Sequence, residues 1–245
     1  MGMEQALAAV SAERIAGRVE ALAAIGRDPA GGITRLGLTA EEQAAREMVR
    51  SWLAPLGYRC AQDDAGNLHC RIGEGPRVLL GSHLDTVPHG GAYDGALGVI
   101  AAAEVARALH QTGEAMPLHV VAWTGEEGVR FGTGLFGSAA ACGLIPAGSW
   151  ERRDPAGRSV LDAAADLLGR PVSPESAALE RQAVRAYLEL HIEQASELER
   201  RGCPLGVVST IVGLYHGRVY PNFPSTELKP GDTYETTTVY KFSTH

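Results

Sequence analysis

Residues 77–110 read RVLLGSHLDTVPHGGAYDGALGVIAAAEVARALH. The apolar run Arg77–Ser82 predicts a buried strand, and the Ala-rich run Gly98–His110 predicts a helix. The loop between them carries histidine and aspartate side chains among several glycines. A strand that passes through such a loop into a helix is the building unit of an α/β fold.

The same alternation of strand and helix continues on both sides of this unit. Further strands are predicted at Leu118–Thr124, Ala186–His191 and Gly206–Val212. Further helices are predicted at residues 3–24, 159–169 and 174–185. Another helix starts at Thr39, where Glu42 three residues later completes a capping box. Because the strands are nearly continuous apolar runs, we predict an α/β fold with an open, largely parallel sheet flanked by helices.

Composition excludes several classes of partner. The chain has 245 residues, a net charge of -7 and no basic cluster, which argues against binding to nucleic acid or an anionic membrane. No apolar run approaches the ~18 residues that span a bilayer, and the N-terminus is not typical of a signal peptide. None of the four cysteines forms a CxxC pair, so we predict free thiols and a cytoplasmic location. The cysteines are Cys60, Cys70, Cys142 and Cys203.

Histidines and carboxylates lie just beyond the predicted strand ends or in the Gly-rich loop. They are His83, Asp85, Asp94, Glu126, Glu127 and His191. Ligands of open α/β sheets bind beyond the carboxyl ends of the strands, so these side chains are expected at one rim. Histidine and carboxylate together suit zinc or manganese, and a carboxylate that bridges two ions makes a site that activates water. A second carboxylate, free of metal, can then move the water's proton.

Each of these residues also has a structural interpretation. A lone strand histidine is more often a satisfied core residue, and we assign His110 and His119 to that class. A Glu-Glu pair in a loop is usually solvated, and an Asp in a Gly-rich loop is usually a turn residue. The coincidence of all six at strand ends of one sheet favours a functional site.

Three blocks of sequence carry a resemblance to a known family. The blocks are GSHLDTVPHGGAYDGALGVIAAAEV (81–105), WTGEEGVRFGTGLFGSAA (123–140) and LHIEQASELE (190–199). In order and spacing they resemble the N-carbamoyl-L-amino-acid hydrolase, β-ureidopropionase and allantoate amidohydrolase family, the amidase branch of the dinuclear-metal aminoacylase and carboxypeptidase superfamily. The resemblance covers roughly residues 1–213.

The resemblance implies two divalent metal ions, zinc or manganese, with cobalt or nickel as further options. The implied ligands are His83 and His191 on one ion, Glu127 on the other, and Asp94 as the bridge. The implied catalytic residues are Glu126, as general base and later acid, and Asp85, which would orient the His83 ring. Gln194 and Arg130 would lie near the substrate. The family pattern also implies a cis peptide bond between Asp94 and Gly95.

The implied reaction is hydrolysis of the carbamoyl carbon–nitrogen bond of a small ureido substrate, an N-carbamoyl amino acid or an allantoate-like compound. A metallopeptidase or aminoacylase relative is an alternative, because such enzymes share the His-x-Asp and Glu-Glu elements. The EEGVRF and HIEQ blocks favour the ureido branch.

The sequence departs from the family pattern in two ways. Ala195 stands where the family usually has glycine. The composition changes near residue 214. At this point family members continue into a dimerising lid domain, and the chain then returns to the catalytic domain, which supplies a further histidine ligand. We therefore expect residues 1–213 to form an incomplete dizinc-aminopeptidase-like catalytic domain with an incomplete second metal site, unless His216 or His245 substitutes.

The final segment, residues 214–245, is predicted to be an irregular β tail. Residues 216–244 resemble the C-terminal strands of aldose 1-epimerase. An inactive, truncated or chimeric fragment is therefore a second interpretation of the chain. A carbohydrate-epimerase role carried by the tail is a third.

Overall fold

The computed structural model describes residues 2–114 and 116–208. The helices are α1 (Gly2–Ala9), α2 (Ala12–Ala23), α3 (Ala40–Leu53), α4 (Ala96–Thr112), α5 (Phe136–Ala141), α6 (Val160–Leu168) and α7 (Glu197–Arg201). The strands are β1 (Arg59–Gln62), β2 (Leu68–Ile72), β3 (Arg77–His83), β4 (Leu118–Trp123) and β5 (Val184–Leu188). Short 3-10 turns lie at Ala54–Leu56, Pro174–Ala177 and Arg181–Ala183.

The five strands form one open sheet in the order β1-β2-β4-β3-β5. β3 runs parallel to both β4 and β5, whereas β2 runs antiparallel to β1 and β4. The predicted α/β class and open sheet flanked by helices are confirmed, but the sheet is mixed. Its antiparallel part is a hairpin, β1–β2, that apolar periodicity did not reveal because β1 is short and half-exposed.

Helices cover both faces of the sheet. One face of β2 and β4 packs under α1 to α4 through small apolar side chains, such as Val99 and Ala103 of α4 against Val120. The opposite face carries Val121 and Trp123 and packs on Ala141 of α5. Because α4 is Ala-rich, it lies close to the sheet and places the preceding Gly-rich loop beside the end of β3.

Two predicted helices differ in the structure. The helix predicted at 3–24 is broken between Ala9 and Ala12, because the Ser11 hydroxyl caps α2 by accepting from the backbone N–H of Arg14 at 3.2 Å. The helix predicted at 174–185 is replaced by 3-10 turns and by the start of β5. The strand predicted at 206–212 is absent from its described residues, 206–208, and the rest of it lies outside the described residues.

The capping box at α3 is half confirmed. The Thr39 hydroxyl accepts from the Glu42 N–H at 3.3 Å, as predicted. The Glu42 carboxylate, however, does not turn back to Thr39. It points inward and accepts from the backbone N–H of Leu38 at 2.6 Å.

Cys60 and Cys70 form a disulfide, so the prediction of four free thiols is wrong for these two residues. They are directly opposite each other in the β1–β2 hairpin, with Cα atoms 4.0 Å apart. This pairing could not be predicted from the sequence, because the hairpin itself was not predicted. Cys142 and Cys203 are free and exposed. A disulfide of this kind is more usual outside the reducing cytosol, so the predicted cytoplasmic location stays a prediction.

The chain divides into two compact units, Met1–Ala195 and Ser196–His245. The boundary predicted near residue 214, the β tail and the two alternative ligands His216 and His245 all lie outside the described residues. Among the described helices, none has both the length and the apolar character that crossing a bilayer requires.

A buried carboxylate ties the N-terminal helices to α4. Glu104 is 1% exposed and accepts from Arg14, Arg18 and Arg107 and from the Ser11 N–H. Burial would raise its pKa, but the hydrogen bonds from Arg14 and Arg107 outweigh burial and lower the pKa of Glu104 from 4.5 to about 2. A carboxyl whose pKa is depressed in the folded state stabilises the fold above its unfolded pKa and loses that contribution as the pH falls.

The substitution Glu104→Gln is therefore expected to destabilise the protein by about 2 kcal/mol at pH 7, with most of the difference from wild type gone near pH 2. Urea unfolding between pH 2 and pH 7 measures this. Glu20→Gln, at an exposed position of α2, is the matched control and is expected to have little effect. An equal loss in both variants, or a loss for Glu104→Gln that does not depend on pH, contradicts the assignment.

Candidate metal centre

Two parallel strands deliver the site to one edge of the sheet. His83 is the last residue of β3 and pairs in register with Trp123, the last residue of β4. The chain after β4 carries Glu126 and Glu127, and the chain after β3 carries Asp85. The predicted convergence of these side chains at the carboxyl ends of the strands is present in the structure.

Two histidines and an aspartate form the first cluster. Asp94 Oδ1 lies 3.2 Å from His191 Nε2 and 3.8 Å from His83 Nε2. This oxygen is buried and has no hydrogen-bond partner among the described residues. A buried carboxylate oxygen without a donor is costly unless something else neutralises it. Its position between two imidazole nitrogens suits a divalent metal, for which these three residues offer ligand atoms within 4.8 Å of one another.

The second cluster shares His83 with the first. One nitrogen of His83 and one oxygen each from Glu126 and Glu127 lie within 4.8 Å of one another. Glu126 Oε2 is 3.7 Å from His83 Nε2. All four sequence-predicted ligands, His83, Asp94, Glu127 and His191, therefore belong to one of two adjoining groups. Their individual roles stay predictions.

Asp85 connects the ends of β3 and β4. Its carboxylate is buried and accepts from the backbone N–H groups of Glu126 at 3.0 Å and Glu127 at 3.1 Å. The Nδ1 of His83 lies 3.0 Å from the Asp85 backbone oxygen and 3.5 Å from its carboxylate. Asp85 thus contacts the His83 ring, as predicted, and in addition holds the backbone of the Glu-Glu pair.

The acids and His83 shift each other's protonation. Burial lowers the pKa of His83, but the hydrogen bond and charge of Asp85 and the charge of Glu126 outweigh it and raise the pKa to about 9. Burial raises the pKa of both Glu126 and Glu127, while His83 opposes the rise. A carboxyl with a raised pKa is suited to accept and return a proton near neutral pH.

Gly95 lets the loop approach His83 closely. Its φ is +63°, and a Cβ at this position would lie 2.5 Å from atoms of the His83 ring. A larger residue would displace either the ring or Asp94. The prediction of a cis bond between Asp94 and Gly95 is wrong, since every described peptide bond is trans. The positive φ of Gly95 turns the chain into α4 instead.

The two residues predicted near the substrate have protein partners in this structure. Gln194 Nε2 donates to Asp94 Oδ2 at 2.8 Å, which leaves Asp94 Oδ1 to face the histidines. Arg130 pairs with Asp154 at 3.0 Å and donates to the backbone oxygens of Gly37 and Leu38. Substrate contact by either residue stays a prediction.

The donor set fits a divalent metal of the zinc or manganese kind. Neutral imidazole nitrogen and carboxylate oxygen are the ligands such ions prefer, and the unpartnered Asp94 Oδ1 marks where one ion would sit. The ligands on that side would be His83, Asp94 and His191. The Glu126–Glu127 side supplies two carboxylates, and in the described residues it has no histidine besides the shared His83.

The sequence pattern did not identify two residues that hold the loop after β4, which carries Glu126 and Glu127. These two residues are Asn67 and Glu42. Asn67 Oδ1 accepts from the Thr124 N–H at 2.9 Å, and Glu42 Oε1 lies 3.4 Å from the Gly125 nitrogen. The burial of Glu42 could have been predicted from the sequence. It stands three positions before Ala45 and seven before Val49, so it lies on the apolar stripe of α3. An acid on such a stripe is buried and needs partners.

Comparison with known proteins gives consistent matches. Residues 67–155 match the model of peptidase family M28. Over 211 residues the chain is 42% identical to the N-carbamoyl-L-amino acid amidohydrolase of Geobacillus stearothermophilus, covering 84% of this chain and 52% of the relative. Over 203 residues it is 34% identical to allantoate deiminase 1 of Glycine max, covering 76% and 41%.

Among solved structures, a hydantoinase/carbamoylase family amidase from Burkholderia ambifaria matches with a TM-score of 0.71 and 37% identity. That match covers 79% of this chain and 48% of the amidase. The chain thus spans about half the length of the curated relatives it matches. The family resemblance drawn from the three sequence blocks is confirmed, while the resemblance of residues 216–244 to aldose 1-epimerase stays a prediction.

The first cluster makes Asp94 the residue most sensitive to substitution. Loss of a residue that only supports a metal ligand costs about 10- to 100-fold in affinity, so Asp94→Asn is expected to weaken binding of manganese or zinc by at least that factor. Titration calorimetry of the metal-free protein measures the affinity. Asp166→Asn, at an exposed position of α6, should leave affinity unchanged. Equal affinity in wild type and Asp94→Asn would remove this residue from the metal centre.

Proposed function

We propose that this chain carries the metal-binding half of a hydrolase of non-peptide carbon–nitrogen bonds, given that residues 67–155 match the model of peptidase family M28. Its substrate class is N-carbamoyl amino acids or allantoate-like ureido compounds. The single observation that carries the proposal is the buried, unpartnered Asp94 Oδ1 between the rings of His83 and His191. The names of the relatives, an N-carbamoyl-L-amino acid amidohydrolase and an allantoate deiminase, support the substrate class.

A divalent ion held by these ligands would polarise the substrate carbonyl and make water a better nucleophile. Glu126 would take the proton of the attacking water as the new carbon–oxygen bond forms. It would then give that proton to the leaving nitrogen as the carbon–nitrogen bond breaks. Glu126 suits this role because it is one-third exposed, faces His83 at 3.7 Å and has a pKa raised by burial.

The other residues would hold the reacting groups in place. Asp85 fixes the backbone of Glu126 and Glu127, so the two neighbouring carboxylates keep a fixed spacing from His83. Gln194 holds one oxygen of Asp94 and directs the other toward His83 and His191. Glu127 would complete the second group of ligands. We propose zinc or manganese as the ion, with a small ureido molecule as the partner.

A metallopeptidase or aminoacylase activity is the second candidate. The observation that favours it is the match of residues 67–155 to a peptidase family. The site chemistry serves both reactions, since an amide and a ureido group present the same carbonyl and nitrogen to the metal and to Glu126.

We predict that Glu126→Gln lowers turnover by at least about 100-fold while metal content stays at the wild-type level, because the amide cannot accept the water's proton. Metal content by mass spectrometry and ammonia release from N-carbamoyl amino acids and allantoate are measured together, with manganese or zinc added. Dipeptides and N-acyl amino acids are the comparison substrates. Glu151→Gln, exposed and outside the site, is the control.

Each outcome has a clear meaning for the proposal. Ammonia release that depends on Glu126 supports the ureido hydrolase, and cleavage of dipeptides alone supports the peptidase alternative. A metal-loaded wild type without turnover on any of these substrates identifies an inactive relative. Full turnover by Glu126→Gln removes this residue from the role of general base.

A further inference from the structure

Four consecutive backbone N–H groups after β4 are held by side chains from other parts of the chain. Thr124 N–H is held by Asn67, Gly125 N–H by Glu42, and the N–H groups of Glu126 and Glu127 by Asp85. The four N···O distances are 2.9, 3.4, 3.0 and 3.1 Å. A loop whose donors all bond to buried side chains has little freedom to move, so the Glu-Glu pair is fixed by its backbone.

Glu42 is the charged member of this set that the site chemistry does not already use. It lies on the first turn of α3 and is 0% exposed. Its Oε1 is 2.7 Å from Arg46 Nη2, and the same oxygen faces the Gly125 N–H. Its Oε2 accepts from the Leu38 N–H at 2.6 Å. One carboxylate therefore joins two loops, the one before α3 and the one after β4.

These two loops lie in direct contact. A Cβ on Gly37 would be 2.9 Å from the Cα of Gly125, so the backbones pass each other without room for a side chain. Leu38 has φ of +55°, a conformation that non-glycine residues rarely adopt and that needs surrounding contacts to persist. The bond from Leu38 N–H to Glu42 is such a contact.

Arg46 completes the arrangement and is itself fully buried. Its Nη2 contacts both Glu42 and the Thr124 hydroxyl, the latter at 2.8 Å, while Nε and Nη1 have no partner in the described residues. A buried ion pair with unsatisfied nitrogens is a poor way to stabilise a fold, since apolar residues would do so at lower cost. Its contact with the Thr124 hydroxyl, beside the loop that carries the Glu-Glu pair, points to positioning instead.

Glutamine cannot replace the carboxylate at position 42. The carboxylate offers acceptors on both oxygens, one for Gly125 with Arg46 and one for Leu38. An amide would place N–H donors against one of these donors whichever way it turned. A charged, two-oxygen acceptor is thus the group that this position requires.

We propose that Glu42 is a positioning residue for the candidate general base. It holds the Gly125 amide and the Leu38 segment together, and so fixes the loop from which Glu126 and Glu127 face His83. The backbone claim stands on geometry alone, whereas the effect on the general base rests on the proposed function.

Hydrogen exchange at single-amide resolution tests the backbone claim without any turnover. In Glu42→Gln, the amides of Gly125, Glu126 and Glu127 are expected to exchange at least about tenfold faster than in wild type, because opening of the loop is no longer opposed by Glu42. The amides of β3 and β4 should change less than about twofold. Glu41→Gln, which removes an exposed charge from the same helix turn, is the matched control and should leave all of them unchanged.

Two results overturn the backbone claim. One is unchanged exchange of Gly125, Glu126 and Glu127 in Glu42→Gln. The other is faster exchange spread evenly over β3 and β4, which would give Glu42 a purely structural role. If Glu42→Gln does not fold, Glu42→Asp serves instead, since it keeps the charge beside Arg46 but withdraws the carboxylate by one methylene. Wild-type exchange in Glu42→Asp then overturns the claim.

Kinetics test the second half of the proposal in the metal-loaded protein. Glu42→Gln is expected to lower kcat for ammonia release about tenfold or more, with KM close to wild type, when measured at saturating metal so that weaker binding by Glu127 does not contribute. Unchanged kcat with faster loop exchange overturns the link to the general base. Absence of turnover in wild type counts against the proposed function alone, since the exchange result is obtained independently of it.

Discussion

The buried carboxylate of Asp85 is the contact on which the site depends. It follows β3, accepts from two backbone N–H groups that follow β4, and lies against the ring of His83. Parallel pairing of β3 and β4 brings the two strand ends to one edge, but pairing alone does not fix the loops beyond them. Asp85 belongs to the loop after β3 and bonds to the loop after β4, so it fixes the two loops against each other. The distance between His83 and the Glu-Glu pair follows from this contact.

The site concentrates negative charge, and the fold compensates for it with backbone hydrogen bonds and with Arg46, which is buried beside Glu42. Burial is the largest cause of the raised pKa of Glu42; the charge of Arg46 opposes the rise and the charge of Asp85 adds to it. Backbone N–H groups of residues 38, 125, 126 and 127 donate hydrogen bonds to the carboxylates of Glu42 and Asp85. Asp94 Oδ1 has no hydrogen-bond donor among the described residues and lies between His191 Nε2 and His83 Nε2, where a bound cation would neutralise it.

Strained backbone gathers around the same edge of the sheet. Non-glycine residues with positive φ include Leu38, Leu135 and Gln194. Leu38 bonds to Glu42, the Leu135 N–H donates to the Glu126 oxygen at 2.7 Å, and Gln194 donates to Asp94. Such conformations persist where surrounding contacts hold them, and they occur often at functional sites. Leu135 and Gln194 contact loops that carry the candidate general base or a candidate ligand, and Leu38 is linked to the first of these loops through Glu42.

The sequence by itself determined the α/β class, the six polar residues at the strand ends and in the Gly-rich loop, and the resemblance to a known family. Apolar runs and their spacing fix which segments become strands and helices, and chemical type fixes which side chains can bind metal. It could not determine the β1–β2 hairpin and its disulfide, the break between α1 and α2, or the trans bond after Asp94. Each of these depends on which segments lie side by side.

Only the tertiary structure decided which polar residues act together. The local pattern at α3 predicted that Glu42 would cap its own helix, yet its carboxylate bonds to Leu38 and faces Gly125, which is 83 residues away in the chain. Gln194 and Arg130, predicted beside the substrate, bond to Asp94 and Asp154. The physical reason is that a buried charge takes whichever partner packing brings within hydrogen-bond reach, and that distance is set by the fold rather than by neighbours in sequence.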